Sequence, residues 1–246
     1  VSTTAAIVAA GAGVHVAKHG NRGITSGCGS ADVLEALGVN INGDSETVKN
    51  CIKEAGIGFM FAPNYHPAMR YVQPVRKNLG FRTVFNILGP LANPAKANCQ
   101  VLGVADADLM ELVAEALRLM DSKYAMVVHS EGLDEISTCG NTRVIEVKDG
   151  QLSSFELKPT ELGFRASDLS KLKAKDPSAS AEQVRNIISG QDKGPGRDIV
   201  VLNAAAAVMA GQLSDDIEQA IRIVNEAIDE GAAEATLEKF IEVSND

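Results

Sequence analysis

Between positions 18 and 30 the chain gathers Lys18, His19, Asn21, Arg22, Thr25, Ser26 and Ser30 among Gly20, Gly23, Gly27 and Gly29. Such a stretch suits an anion. Glycines let main chain approach phosphate oxygens and turn N–H groups inward. Hydroxyl residues at the start of a helix add donors to its positive end. Any one of these residues alone would be an ordinary loop residue, but so dense a set of donors points to a ligand. Ser2, Thr3 and Thr4 open another helix in the same way. A second candidate is Asp134-Glu135, adjacent acids just past an apolar run at 124–129. Paired carboxylates at a strand end can hold Mg2+ bridged to a phosphate chain, although an acidic pair is more often a solvated turn. The third is the segment 65–94, where Arg70, Arg76 and Arg82 recur every six residues. An inward Arg76 could fork onto a carboxylate. The Gly-, Pro- and Asn-rich "RTVFNILGPLANP" implies a backbone held in a specific shape. No G-x-G-x-x-G or G-x-x-x-x-G-K-S/T run is present, which disfavours Rossmann and P-loop readings.

The elements that must position these groups alternate in type. "STTAAIVAAGAG" reads as a helix with a hydroxyl-rich start, and "VHVAKH" as a strand that places Lys18, His19 and Asn21 at its end. "SADVLEALG" reads as a helix capped by Ser30 and stopped by Gly38. "DSETVKNCIKEAG" is a further helix, capped by Asp44 or Ser45. "IGFMFA", "NCQVLGVA" and "KYAMVVHS" are strands, and "YHPAMRYVQPVRKNLG" is helical with Pro74 as a kink. "ADLMELVAEALRLM" presents Leu109, Leu112, Val113, Ala116, Leu117 and Met120 on one face. "TRVIEVKDGQLSSFEL" is a hairpin turning at Asp149-Gly150. Residues 159–197 read as polar and turn-rich. "DIVVLNAAAAVMAG" reads as a strand followed by a helix capped by Asn203, and two amphipathic helices close the chain. The pattern predicts an α/β fold with a mixed, largely parallel central sheet flanked by helices.

With 246 residues, 45% hydrophobic and 22% charged, the chain has the composition of a globular protein. A net charge of −9 disfavours a nucleic-acid-binding surface while leaving room for a local basic pocket. Cys28, Cys51, Cys99 and Cys139 form no C-x-x-C pair, so a zinc site is not expected and the thiols read as reduced, in a cytoplasm. The apolar stretch at 4–18 is too short to cross a membrane. The chain opens on Val1 without Met, which suggests a missing upstream part.

In order and spacing, "AKHGNR" with "GSADVLEALG", "HPAMR…VRKNLGFRTVFNILGPLANP", "GLDEIS" and "GRDIVVLNAAAAV" resemble the anthranilate phosphoribosyltransferases of tryptophan biosynthesis, from Val1 to about Asn225. The resemblance implies a nucleoside phosphorylase/phosphoribosyltransferase-like catalytic domain at 1–62 and 96–246. Segment 63–95 would return to a small helical domain whose first helices, with a glycine-rich diphosphate loop, precede this chain. The truncated chain would then have little activity alone. The implied reaction is Mg2+-dependent transfer of 5-phosphoribose from phosphoribosyl diphosphate to anthranilate, by a cytoplasmic enzyme that is a homodimer when full-length. No nucleic-acid or membrane partner is implied. Ser2, Thr3, Lys18, Asn21, Thr25, Ser26 and Ser30 would bind phosphoribosyl diphosphate. His19, Asn21, His66, Arg76 and Pro90 would bind anthranilate. Ser2, Asp134 and Glu135 would hold the metal, with two ions expected. No residue would act as a catalytic acid or base. Thr25, Gly27 and Cys28 depart from the family's serine-rich pattern with a lysine. The surviving Thr25 hydroxyl keeps phosphate binding expected, while loss of the lysine would weaken it. A nucleoside phosphorylase, which needs no Mg2+, and a non-catalytic nucleic-acid-binding homologue are the competing classes.

Overall fold

The computed structural model describes residues 1–23, 28–79, 85–172 and 174–246, with the backbone alone at 73, 74, 76, 77, 79, 85 and 86. In chain order the elements are α1 (Ser2–Gly11), β1 (Val16–Gly20), α2 (Ser30–Leu37), α3 (Ser45–Ala55), β2 (Ile57–Phe61), α4 (Ala62–Tyr65), α5 (Met69–Leu79), α6 (Phe85–Leu91), β3 (Cys99–Gly103), α7 (Met110–Leu119), β4 (Tyr124–Ser130), β5 (Thr142–Lys148), β6 (Gln151–Leu157), α8 (Pro177–Ile188), α9 (Pro195–Ala210), α10 (Ile217–Asp229) and α11 (Ala232–Asn245). The strands form two hydrogen-bonded groups. β1 and β2 pair in parallel, and a mixed sheet runs β3-β4-β5-β6 with β3 parallel to β4 and the rest antiparallel. The α/β class, the mixed sheet and the flanking helices are as expected, but the four-stranded sheet is not largely parallel, because two of its three pairings are antiparallel.

Within the mixed sheet β4 is buried on both sides, whereas β6 is exposed along most of its length. Ala125 and Val127 face α7 through Met110, Val113, Ala114 and Leu117. Tyr124, Met126 and Val128 face α9 through Leu202, Ala206 and Ala210. Period-2 alternation therefore buries every residue of its apolar run. The largest core gathers α1, α2, α3 and α8 to α11 around β1 and β2. α1 lies at its centre, and Thr3 through Ala10 are all buried.

Four local expectations are corrected. Residues 195–210 form one helix, so "DIVV" is not a strand and Asn203 is not a cap. Pro195 starts that helix, and its apolar residues are buried on nearly every side, which erases the amphipathic signal of a helix. The cap of α2 is Gly29, and Ser30 is the first helical residue. The buried face of α7 is rotated by one residue from the one expected, leaving Leu112 60% and Met120 56% exposed. The polar stretch 159–197 contains α8, capped by Asp176, whose Oδ1 accepts from Ala179 N at 2.8 Å. Elsewhere Asp44, rather than Ser45, caps α3, and the hairpin turns at Asp149-Gly150, both at positive φ.

Candidate active site

β1 delivers Lys18 and His19 from within the strand, and Asn21 follows it. The turn into α2 is drawn tight. Ser30 Oγ donates to Asn21 O at 3.2 Å, and Ala31 N donates to the same oxygen at 3.2 Å. A Cβ on Gly20 would overlap Ser30 Oγ, so only glycine permits this approach of α2 to β1. Asp32 Oδ2 accepts from Gly23 N at 2.9 Å and Gly29 N at 2.8 Å, drawing the two sides of the turn together. Arg22 bridges Asp32 and Glu35 from the solvent side.

The acidic turn approaches from β4. Ser130 and Leu133 exchange backbone hydrogen bonds of 3.1 and 3.0 Å, which reverses the chain and presents Asp134 and Glu135. Asp134 is exposed and Glu135 half-buried. Glu135 Oε1 accepts from Ser2 N, at the start of α1, at 3.2 Å. Lys18 Nζ donates to Ser2 Oγ at 3.4 Å. Burial raises the Glu135 carboxyl above the usual range, opposed by nearby positive charge including Lys18. Burial lowers the Lys18 ammonium, opposed by Glu135. Residues from β1, α1 and the β4 turn thus meet in one charged cluster.

The cleft continues past this cluster into a less polar half. The His19 and His66 rings meet edge to face with centroids 5.0 Å apart. Each presents a buried Nε2 without a hydrogen-bond partner among the described residues. Burial and then His66 depress the His19 pKa, against a hydrogen bond with the Gly89 backbone, so His19 is favoured in its neutral form. Pro90 lies in the last turn of α6. Asn93 ties this segment to β1, donating from Nδ2 to Ala17 O at 3.0 Å and accepting from Ala95 N at 2.9 Å. The whole cleft holds about 1140 Å3 between β1 and β3, with α1 and α9 behind and segments 62–70 and 88–93 above.

Of the residues expected at a site, Ser2, Lys18, His19, Asn21, His66, Pro90, Asp134 and Glu135 line this one cleft. Thr3 and Ser30 instead line a smaller cavity of about 300 Å3, which also reaches Ser2. Thr25, Ser26 and the Arg76 side chain lie outside the described residues. Sequence reasoning missed Asn93, Asn203 and Gly103, which also line the cleft. The shape implied by "NILGPLANP" pointed toward Asn93. Asn203 was hidden by its reading as a helix cap.

The cleft of this α/β protein is divided, charged where Lys18, Ser2 and Glu135 meet and less polar beside His19, His66 and Pro90, a layout that suits the class of transferases acting on a phosphorylated donor. Consistent with this class, residues 1–234 match the glycosyl transferase family a/b domain. Anthranilate phosphoribosyltransferase from Methanocorpusculum labreanum is 52% identical over 99% of this chain and 72% of its own length. That from Chloroflexus aggregans is 50% identical over 99% and 72%. The crystal structure of the Thermus thermophilus enzyme superposes with a TM-score of 0.94 at 43% identity, covering 99% of this chain and 73% of that one. The Saccharomyces cerevisiae enzyme, in complex with PRPP (5-phosphoribosyl diphosphate) and Mg, gives 0.89 at 31% identity, over 99% and 69%. The chain belongs to the anthranilate phosphoribosyltransferase family.

Proposed function

We propose that this chain transfers 5-phosphoribose from PRPP to the amino group of anthranilate, releasing diphosphate. The observation that carries this reading is the meeting of Lys18, Ser2 and Glu135 at one end of a cleft whose other end is walled by His19, His66 and Pro90. A phosphate-bearing donor and a flat aromatic acceptor need those two halves side by side.

The donor set fits Mg2+. Among the described residues no group of three or more His, Cys, Asp or Glu could hold a metal unaided. Mg2+ is ordinarily held by one or two carboxylates together with substrate phosphates. Asp134 and Glu135 supply that pair, and Glu135, raised by burial, gains from a cation beside it. Mg2+ held there would offset the negative charge that develops on the leaving diphosphate. Two ions, rather than one, are part of this proposal.

The remaining work belongs to positioning. Lys18 and Ser2 hold the phosphate end, with Asn21 between the two substrates. Thr25 and Ser26 are assigned to the donor side, and Thr3 and Ser30 to the smaller cavity that shares Ser2 with it. The anthranilate nitrogen places its lone pair on ribose C1 as the bond from C1 to the diphosphate oxygen breaks, and that electron pair leaves with diphosphate. The nitrogen then loses a proton to solvent. An aromatic amine is a free base at neutral pH, so no side chain has to accept this proton, and His19, favoured in its neutral form, packs with His66 to shape and dry the acceptor pocket. We assign Arg76 to the anthranilate carboxylate. Segment 63–95 belongs to a small helical unit, and the working enzyme is a cytoplasmic homodimer.

The decisive experiment is Asp134→Asn with Glu135→Gln in the intact protein. Mg2+-dependent formation of phosphoribosylanthranilate should disappear while the circular dichroism spectrum stays unchanged. Wild-type turnover would refute the metal assignment. Arg76→Ala should raise the anthranilate KM by about 10- to 100-fold, the scale of a lost charge-assisted pair, and leave the PRPP KM nearly unchanged. A selective PRPP defect would move Arg76 to the phosphate end.

A further inference from the structure

The acidic turn is held from behind by groups that are neither of its carboxylates. Asn203 sits midway along α9, 5% exposed. Its Nδ2 donates to Ile136 O at 2.8 Å, and its Oδ1 accepts from Ile136 N at 3.0 Å. This is the two-point pattern of an antiparallel strand pair, made here by one side chain. The amide is anchored in turn, because Nδ2 also donates to Ile199 O at 2.8 Å, one helical turn earlier. Ser130 Oγ, at the end of β4, donates to Glu135 O at 3.0 Å. Gly103, at the end of β3, packs so closely that a Cβ there would overlap the Asp134 carbonyl. The main chain of 134, 135 and 136 is thus fixed by three different elements, while the Asp134 and Glu135 side chains line the cleft, where Glu135 accepts from Ser2 N.

We infer that Asn203, assisted by Ser130, is a positioning residue for divalent-cation binding. It sets where the Asp134 and Glu135 carboxylates stand relative to Ser2 and Lys18. This inference rests on the assignment of those two acids as Mg2+ ligands. Groups that orient metal ligands typically contribute about 10- to 100-fold in metal affinity. A purely structural amide would contribute to folding alone. No isostere replaces Asn203. Aspartate would set a carboxylate against the Ile136 and Ile199 carbonyls, and alanine would leave the buried Ile136 N–H and C=O unpaired.

The test is PRPP affinity by calorimetry, in Mg2+ and in EDTA, for Asn203→Ala and Ser130→Ala in the intact protein. The positioning role predicts that Asn203→Ala loses about tenfold of its PRPP affinity in Mg2+ and none in EDTA. Ser130→Ala should change in the same direction by a smaller factor. An Asn203→Ala protein that melts earlier but keeps its full Mg2+-dependent gain would overturn the inference, as would equal losses with and without metal. If Asn203→Ala does not fold, Ser130→Ala decides, and an unchanged Mg2+-dependent gain refutes the role. The Asp134→Asn/Glu135→Gln protein separates the two levels. If it keeps the gain, the ligand assignment falls and the inference with it. If it loses the gain while Asn203→Ala keeps it, the ligands stand and the positioning role alone is wrong.

Discussion

A single carboxylate shows how one residue shapes the donor side of the cleft. Asp32 is held below the ordinary carboxylate range by hydrogen bonds from Gly23 N and Gly29 N, with Arg22 adding to them. Its charged form therefore favours the folded state. That contribution is complete above the unfolded value of about 4 and is lost as pH falls through the lower folded value. Asp32→Asn should consequently flatten the fall in melting temperature below about pH 4. A wild-type slope in the variant would show that the two glycine amides do not favour the carboxylate. The same bonds join the ends of the turn after β1, so Asp32→Asn should also raise the PRPP KM while sparing that of anthranilate.

The elements pack closely because of small residues. α1 and α9 run through the core with Ala9, Ala204, Ala205 and Ala206 all fully buried. A Cβ on Gly11, at the end of α1, would come within 2.8 Å of the Ala233 backbone in α11. Two helices that close have no room for a branched side chain. Ala205→Leu should destabilise the protein by about 1–3 kcal/mol through overpacking, measured by urea unfolding. No loss would mean that the α1–α9 contact can adjust, and that the site at the start of α1 is not rigidly held.

Over the whole molecule α9, which backs the cleft, is tied to α10, which does not line it. Arg197, near the start of α9, is 8% exposed and reaches across to α10, donating to Asp229 Oδ1 at 2.7 Å and Asn225 Oδ1 at 2.8 Å. Asp229 is held below the ordinary range, chiefly by that Arg197 hydrogen bond. Removing the guanidinium takes the donor from half-buried Asn225, while Asp229, more than half exposed, turns to water. Arg197→Ala should cost about 1–2 kcal/mol, since Asp229 is open to solvent, or roughly 2–8 °C in Tm for a chain of this size. PRPP affinity per folded molecule should not change, since Arg197 does not line the cleft. A selective loss of PRPP affinity at unchanged Tm would contradict this division between frame and site.

Among the described residues no helix is long and apolar enough to cross a membrane, in keeping with the short apolar stretch at 4–18. The sequence by itself determined what depends on near neighbours. A cap at Asp44 or Ser45 was legible because a side-chain oxygen just before free amides has only to turn back on them, and the structure chose Asp44. Asp149-Gly150 closes a hairpin because both accept positive φ. The chemistry of Lys18, His19, Asp134 and Glu135 was legible from residue type, while His66 and the assignment of all five to one site came from the family's motif order. Tertiary structure alone decided what spans long separations. Ser2 meets Glu135 across 133 positions, and Asn203 meets Ile136 across 67. Local patterns also misled where burial was complete: α9 lost its helical periodicity because neighbours cover it on nearly every side, and Asn203, polar amid alanines, looked like a cap. A hydrogen bond to a distant main chain leaves no mark on local sequence, because its partner is set by how helices and sheet pack together.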